Sequence, residues 1–176
     1  FPDLDRITGG WQGGKLAVVA ARPAVGKSAL ALAFADTAAR AGHEVDIFAL
    51  EMADTDLAQR HLAMSSNVAA DRIRHGRLTD AELACVRTAA AALSALPIWI
   101  DHRGSLSMPD IASSCRQRQR AGPLGLVIID YLQLMRADGK ADTREREVAQ
   151  LSAGAKVLAR ELNVPVILLS QLNRAV

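Results

Sequence analysis

An apolar run, Leu16-Ala-Val-Val-Ala20, leads directly into Ala21-Arg22-Pro23-Ala24-Val25-Gly26-Lys27-Ser28, and an alanine-rich helical stretch follows. No other feature of the chain constrains its fold as tightly. A short continuous apolar run suits a parallel strand buried on both faces, and a helix after the loop returns the chain along the sheet. A loop in that setting cradles phosphate. Backbone N–H groups converge on a compact anion at the helix N-terminus, Gly26 permits close backbone approach, Lys27 supplies a cation, and Ser28 supplies a hydroxyl for magnesium. The usual pattern begins with glycine, where Ala21 stands here. An ordinary turn containing Gly-Lys-Ser is the competing reading; the strand before the loop and the helix after it favour the cradle.

The chain has 176 residues, half of them hydrophobic, enough for one globular domain with a real core. Aromatic residues are few, so the core is built from Leu, Ile, Val and Ala, and no stacking platform for bases is visible. The formal charge of +2, from 21 basic and 19 acidic residues, neither requires nor excludes a polyanionic partner. Cys85 and Cys115 stand far apart without metal-ligand spacing, which argues against a disulfide framework or a zinc site and fits a reducing cytosol. No apolar stretch approaches the roughly 20 residues of a membrane span, and Phe1-Pro-Asp-Leu-Asp5 lacks a signal-peptide layout. The missing initial Met predicts an excised piece.

Along the chain, Phe1–Gly14 carries turn chemistry and reads as a lead-in loop. After Ser28, the spacing of Leu30, Phe34, Ala38 and Ala41 predicts a helix ended by Gly42. Val45–Leu50 is a second buried strand, with Glu51 directly after it. In open parallel sheets, ligands bind beyond the carboxyl ends of strands, so Glu51 shares a rim with the cradle. Taken alone, such an acid is more often a helix-cap or surface residue. Asp54–Ser66 reads as a helix, Asp71–Arg77 as a solvated polar segment, and Thr79-Asp-Ala-Glu82 as a capping box opening a helix striped by Leu83, Val86, Ala90 and Leu93. Pro97–Ile100 is a third strand, ending at Asp101 and His102. Ser107 and Pro109 then open a helix bearing Arg116, Arg118 and Arg120.

Gly125–Ile129 is the most β-like run, and it ends in Asp130. An acid at such a tip can hold magnesium through water while Ser28 binds the ion directly. Arg136–Thr143 reads as a mobile loop. Thr143 caps a helix with Val148, Leu151, Ala155, Leu158 and Leu162 on its buried face, ended by Asn163 and Pro165. Val166–Leu169 is the last strand, and Ser170, Gln171, Asn173 and Arg174 follow it at the rim. Strands alternate with helices throughout. The class is α/β, with a mostly parallel sheet covered by helices on both faces.

Ala21-Arg-Pro-Ala-Val-Gly-Lys-Ser28, Leu50-Glu-Met52, Ile129-Asp-Tyr-Leu-Gln-Leu-Met135 and Val164-Pro-Val-Ile-Leu-Leu-Ser-Gln-Leu-Asn-Arg174, in that order, resemble the RecA-like motor domain of the DnaB-family replicative DNA helicases from Phe1 to Val176. That family's loop resembles Ala-Arg-Pro-x-x-Gly-Lys-Ser/Thr, so Ala21 fits it. The resemblance implies an ATP hydrolase that unwinds DNA in the 5′-to-3′ direction as a homohexameric ring on single-stranded DNA. It also implies magnesium as cofactor, primase and a helicase loader as partners, and a cytoplasmic, nucleoid setting without a membrane. It further implies that residues 21–28 bind the phosphates, with Lys27 on the β- and γ-phosphates, and that Ser28 and Asp130 hold the metal. Glu51 would activate the attacking water and Gln171 would sense the γ-phosphate. Residues 136–147 match the position of a channel-lining loop. The family's motor domain continues beyond Ser-Gln-Leu-Asn-Arg, so a second DNA-binding loop and an arginine finger are expected to be missing, with a loss of about 10³ or more in rate. The other readings are a different RecA-like ATPase, acting as a recombination mediator or switch, and a nucleotide-binding paralogue without helicase activity.

Overall fold

The computed structural model describes residues 1–50, 52, 54–103, 106–130 and 144–172, and structural statements refer to these. Glu51, the stretch 131–143 and the Asn173–Arg174 pair lie outside them. Seven helices and five strands follow in this order among the described residues: α1 (Pro2–Thr8), β1 (Leu16–Ala21), α2 (Lys27–Arg40), β2 (Glu44–Ala49), α3 (Asp54–Ser66), α4 (Ala70–Arg74), α5 (Asp80–Ser94), β3 (Ile98–Asp101), α6 (Met108–Ala121), β4 (Leu124–Asp130), α7 (Arg144–Leu162) and β5 (Val166–Gln171). The strands form one parallel sheet in the order β1-β5-β4-β2-β3.

Alternation along the central strands divides the core into two layers. Val127, Ile129, Val166 and Leu168 face α6 and α7, joining Ile111, Leu151, Ala155 and Leu158. Leu126, Ile128, Ile167 and Leu169 face the other way, onto Leu32, Phe34, Ala35 and Leu57 of α2 and α3. Each fully buried aliphatic or aromatic side chain here contributes about 1.5–3 kcal/mol by leaving water. Because both faces of β4 and β5 are covered, these strands read as continuous apolar runs rather than alternating ones. The registers pair Ala21 with Gln171 and Ala49 with Asp130. The C-terminal tips of β1, β5, β4 and β2 therefore share one rim.

Helix ends follow the local chemistry. Gly42 sits at φ 88° after α2, where its N–H donates to the Ala39 carbonyl and the His43 N–H to that of Ala38, the paired bonds of a Schellman stop. Capping boxes open α5 (Thr79 with Glu82) and α6 (Ser107 with Asp110). Asn163, at φ 53°, ends α7, and Gln119 of α6 donates a hydrogen bond to the Leu162 carbonyl there.

Several local expectations change. The lead-in contains helix α1, with Pro2 in its first turn and Asp3 and Asp5 near the N-terminus, ended by Gly9 at φ 74°. The polar segment after Ser66 contains the short helix α4. The buried face of α2 is Ala31, Leu32, Ala35 and Ala39 together with Phe34, while Leu30 is 37 % exposed and Ala41 is exposed. In an alanine-rich helix the apolar positions encircle the axis, so the sequence leaves the face ambiguous. In α5 the buried residue is Ala89, not the Leu83 stripe, because α5 packs on α3 outside the sheet and not on the sheet itself. Residues 144–147, part of the expected 136–147 loop, belong to α7. No helix among the described residues is long and apolar enough to cross a membrane.

Candidate phosphate-binding site

The loop between β1 and α2 begins where β1 leaves the sheet beside β5. Ala24 adopts φ 63° and Gly26 φ 104°. A left-handed conformation at alanine is uncommon; it closes a tight turn in which the Val25 N–H donates to the Arg22 carbonyl at 3.4 Å. Gly26 is the N-cap of α2 and no side chain caps that end. A Cβ on Gly26 would meet nothing within 4 Å, so its φ, not crowding, makes glycine the suitable residue. The first N–H groups of α2 and the positive end of its dipole therefore face the loop.

Lys27 and Ser28, in the first turn of α2, both reach Asp130 at the tip of β4. The Ser28 hydroxyl donates to Asp130 Oδ2 at 2.8 Å, and Lys27 Nζ stands 3.5 Å from Oδ1. The lysine distance is that of an ion pair and is too long for a good hydrogen bond. Asp130 Oδ1 is buried with no hydrogen-bond donor. A buried carboxylate oxygen without a donor suits a cation or a metal-bound water. A hydroxyl and a carboxylate with retained waters is the pattern magnesium favours. The Leu50 N–H donates to the Asp130 carbonyl at 2.6 Å, joining the β2 tip to the β4 tip.

A recess of about 260 Å³ opens above the loop, lined by Ala21, Arg22, Pro23, Ala24, Gly26, Lys27, Ser28, Met52, Arg60 and Gln171. Residues 21–24 and 26–28 thus fall together, and Gln171 joins them from the end of β5. Val25 is 70 % exposed and does not line the recess. Asp130 lies beneath it, reached through Ser28 and Lys27. Sequence reading missed Met52 and Arg60. The signal for Arg60 was its place three residues after buried Leu57 on a helix that starts just beyond the β2 tip.

A larger cleft, about 400 Å³, lies at the opposite sheet edge between β3 and α6. There Asp46 is buried, Arg118 Nε donates to its Oδ1 at 3.3 Å, and the same guanidinium lies 3.9 Å from the ring centroid of Trp99. Burial pushes the Asp46 carboxyl up to about 6, against the pull of Arg118. Size does not make this the phosphate site, because it has neither the loop nor the helix terminus. Both cysteines are free thiols; burial pushes that of Cys115 far up, leaving it unreactive.

Comparison with known proteins fits this geometry. The family model of the DnaB-like helicase C-terminal domain matches residues 1–176. The chain belongs to that family. The replicative DNA helicase DnaB of Geobacillus stearothermophilus is 43 % identical over all of the chain, which spans 39 % of that protein. The replicative DNA helicase DnaC of Bacillus subtilis is 42 % identical, with the same shares covered. Among solved structures, a DnaB-like replicative helicase, described with its interactions with primase, superposes with a TM-score of 0.94 at 33 % identity, covering 99 % of this chain and 42 % of that one. A second, described as an ATPase domain, gives the same TM-score and identity over 63 % of its chain. The fold of this family member is accordingly the RecA-like α/β type anticipated from its sequence. The chain spans well under half the length of the curated relatives it matches.

Proposed function

We propose that this chain is the ATP-hydrolysing motor of a replicative DNA helicase, driving 5′-to-3′ movement along single-stranded DNA as a homohexameric ring. The observation that carries the reading is the Ser28–Asp130 hydrogen bond with Lys27 beside it, at the uncapped N-terminus of α2. Relatives named as replicative helicases, at 42–43 % identity, support this output over that of a recombination mediator or a non-hydrolysing paralogue. Primase and a helicase loader are proposed partners, and the DnaB-like helicase studied with primase supports the first.

In this mechanism the loop 21–28 binds the phosphates through its N–H groups and the α2 terminus. Lys27 turns from Asp130 to the β- and γ-phosphates, exchanging one anionic partner for another. Ser28 and Asp130 would hold magnesium, Ser28 directly and Asp130 through the ion's waters. Magnesium, when bound, neutralises charge developing on the phosphates. Glu51, beyond the β2 tip, orients the attacking water and takes its proton. Gln171, at the rim beside Ala21, reads the presence of the terminal phosphate and passes it to the segment following β5. Hydrolysis here is positioning and charge stabilisation. An arginine finger from a neighbouring subunit would complete the site.

The test is ATP hydrolysis by the protein under ring-forming conditions, with and without single-stranded DNA. DNA-stimulated hydrolysis is expected. Lys27→Ala should abolish nucleotide binding, and Glu51→Gln should keep binding while lowering turnover by about 10² or more, the range of a lost general base. Normal turnover in the Glu51 variant would remove its role.

A further inference from the structure

Among the described residues, the buried polar and ionisable side chains are Ser28, Asp46, His61 and Asp130. Ser28 and Asp130 meet at the phosphate recess, and Asp46 lies under Arg118 in the cleft between β3 and α6. His61, 9 % exposed on α3, belongs to neither. Its Nε2 stands 3.3 Å from Oδ1 of Asp36 on α2. Arg40, one turn further along α2, donates from Nε to Oδ2 of that carboxylate at 2.6 Å and from Nη2 to Oδ1 at 3.3 Å. A carboxylate paired in this way only accepts, so the imidazole is the donor and carries a proton on Nε2. Arg40 thus holds the rotamer of Asp36, leaving Oδ1 turned toward α3. A leucine in place of His61 would seat α3 without the cost of desolvating an imidazole, so what the histidine adds is direction and register.

The clasp joins two elements that both border the recess. Lys27 and Ser28 open α2, and Met52 lines the recess from the link between β2 and α3. Asp36 stands nine residues after Lys27, about 13 Å along the helix, and His61 stands nine residues after Met52. Leu57, one turn before His61 on the same face of α3, is buried in the layer that holds Leu32 and Ala35 of α2. Apolar contact is non-directional and tolerates sliding, whereas the His61 bond selects one position of α3 along α2. Because α4 and α5 pack on α3, the seat of one helix sets that of three. In sequence the proposed base, Glu51, stands in the same link as Met52.

We propose that His61, through Asp36, is a positioning residue for the hydrolysis of ATP: it fixes α3 along α2, and with it the link that borders the phosphate recess. This rests on the nucleotide-site reading above. The experiment measures kcat and KM for ATP hydrolysis under ring-forming conditions, and the dissociation constant of magnesium–ADP by calorimetry. The proteins compared are the native one, His61→Leu, His61→Gln, Asp36→Ala and the double variant of His61→Leu with Asp36→Ala. His61→Leu keeps the apolar volume and loses the donor; it should lower kcat about five-fold or more and leave KM and the ADP constant within about three-fold. His61→Gln, whose amide nitrogen can take the place of Nε2, should recover about half or more of the native kcat. Asp36→Ala should match His61→Leu, and the double variant should be no worse than either. Native kcat in His61→Leu, equal losses in the leucine and glutamine variants, or losses that multiply in the double variant overturn the proposal. Asp36 is the more exposed partner, so Asp36→Ala carries the comparison if His61→Leu unfolds. Native protein that neither binds ADP nor hydrolyses ATP removes the site reading and this inference with it, whereas native turnover with unchanged variants removes only the role of His61.

Discussion

At the scale of single residues, the loop stores strain in Ala24. A left-handed alanine costs roughly 1–2 kcal/mol, and glycine removes that cost while giving back about 0.5–1 kcal/mol of backbone entropy. Ala24→Gly is therefore expected to stabilise the protein by about 0.5–1 kcal/mol, readable by urea denaturation. A destabilised variant would mean that the Cβ of Ala24 packs usefully. Legibility was uneven at this scale. Lys27, Ser28, Asp130 and Gln171 were found because each stands at a strand tip or helix start, positions that sequence order determines. Arg60 was not, because reaching the recess depends on how α3 crosses the β2 tip, and no local pattern encodes a crossing angle. Asp46 escaped for a related reason: a single acid within an apolar strand does not reveal that Arg118, far along the chain, will cover it.

Among elements, the clamp between β2, β3 and α6 ties pH to stability. Burial holds the Asp46 carboxyl near 6 in the folded protein against an ordinary value of 3.8; Arg118 opposes the shift, and Glu44 and Asp101 add to it. The folded state thus binds this proton more tightly than the unfolded state. Its contribution is fully present below about pH 4 and is lost as pH rises through 6. Asp46→Asn should flatten the fall over that window, a difference of about 1–2 kcal/mol once solvent screening in the cleft is allowed for. Denaturation midpoints of both proteins at pH 4 and pH 7 check this; parallel curves would deny Asp46 the effect. Elements themselves were largely legible. The β4 and β5 runs, the capping box at Thr79, the helix start at Ser107 and the Gly42 stop all fell where chemistry predicted. Errors arose where alanine blurred the periodicity, as in α2 and α5, and where Pro2 began a helix that its glycine-rich surroundings concealed.

For the molecule as a whole, nucleotide binding and folding are linked. The cradle exists only when β1, β4 and α2 are assembled, so a ligand held there stabilises the entire sheet. Magnesium–ADP at 100 times its dissociation constant adds about 2.7 kcal/mol. For a domain of this size that raises the melting temperature by about 5–10 °C. Lys27→Ala should abolish the rise in a thermal-shift measurement, and a rise retained in that variant would place the ligand elsewhere. The parallel α/β class and the rim bearing the site were legible because strand–helix alternation admits few topologies.

The short bond from the Leu50 N–H to the Asp130 carbonyl has a mechanical consequence. It pins the backbone of Leu50 to that of Asp130, so the tips of β2 and β4 are joined by one main-chain strut rather than by side-chain contacts. A load applied to either strand tip is shared by both. The Asp130 carboxylate beneath the recess would then move in step with the end of β2, and the spacing of those two tips would be the last dimension of the rim to yield.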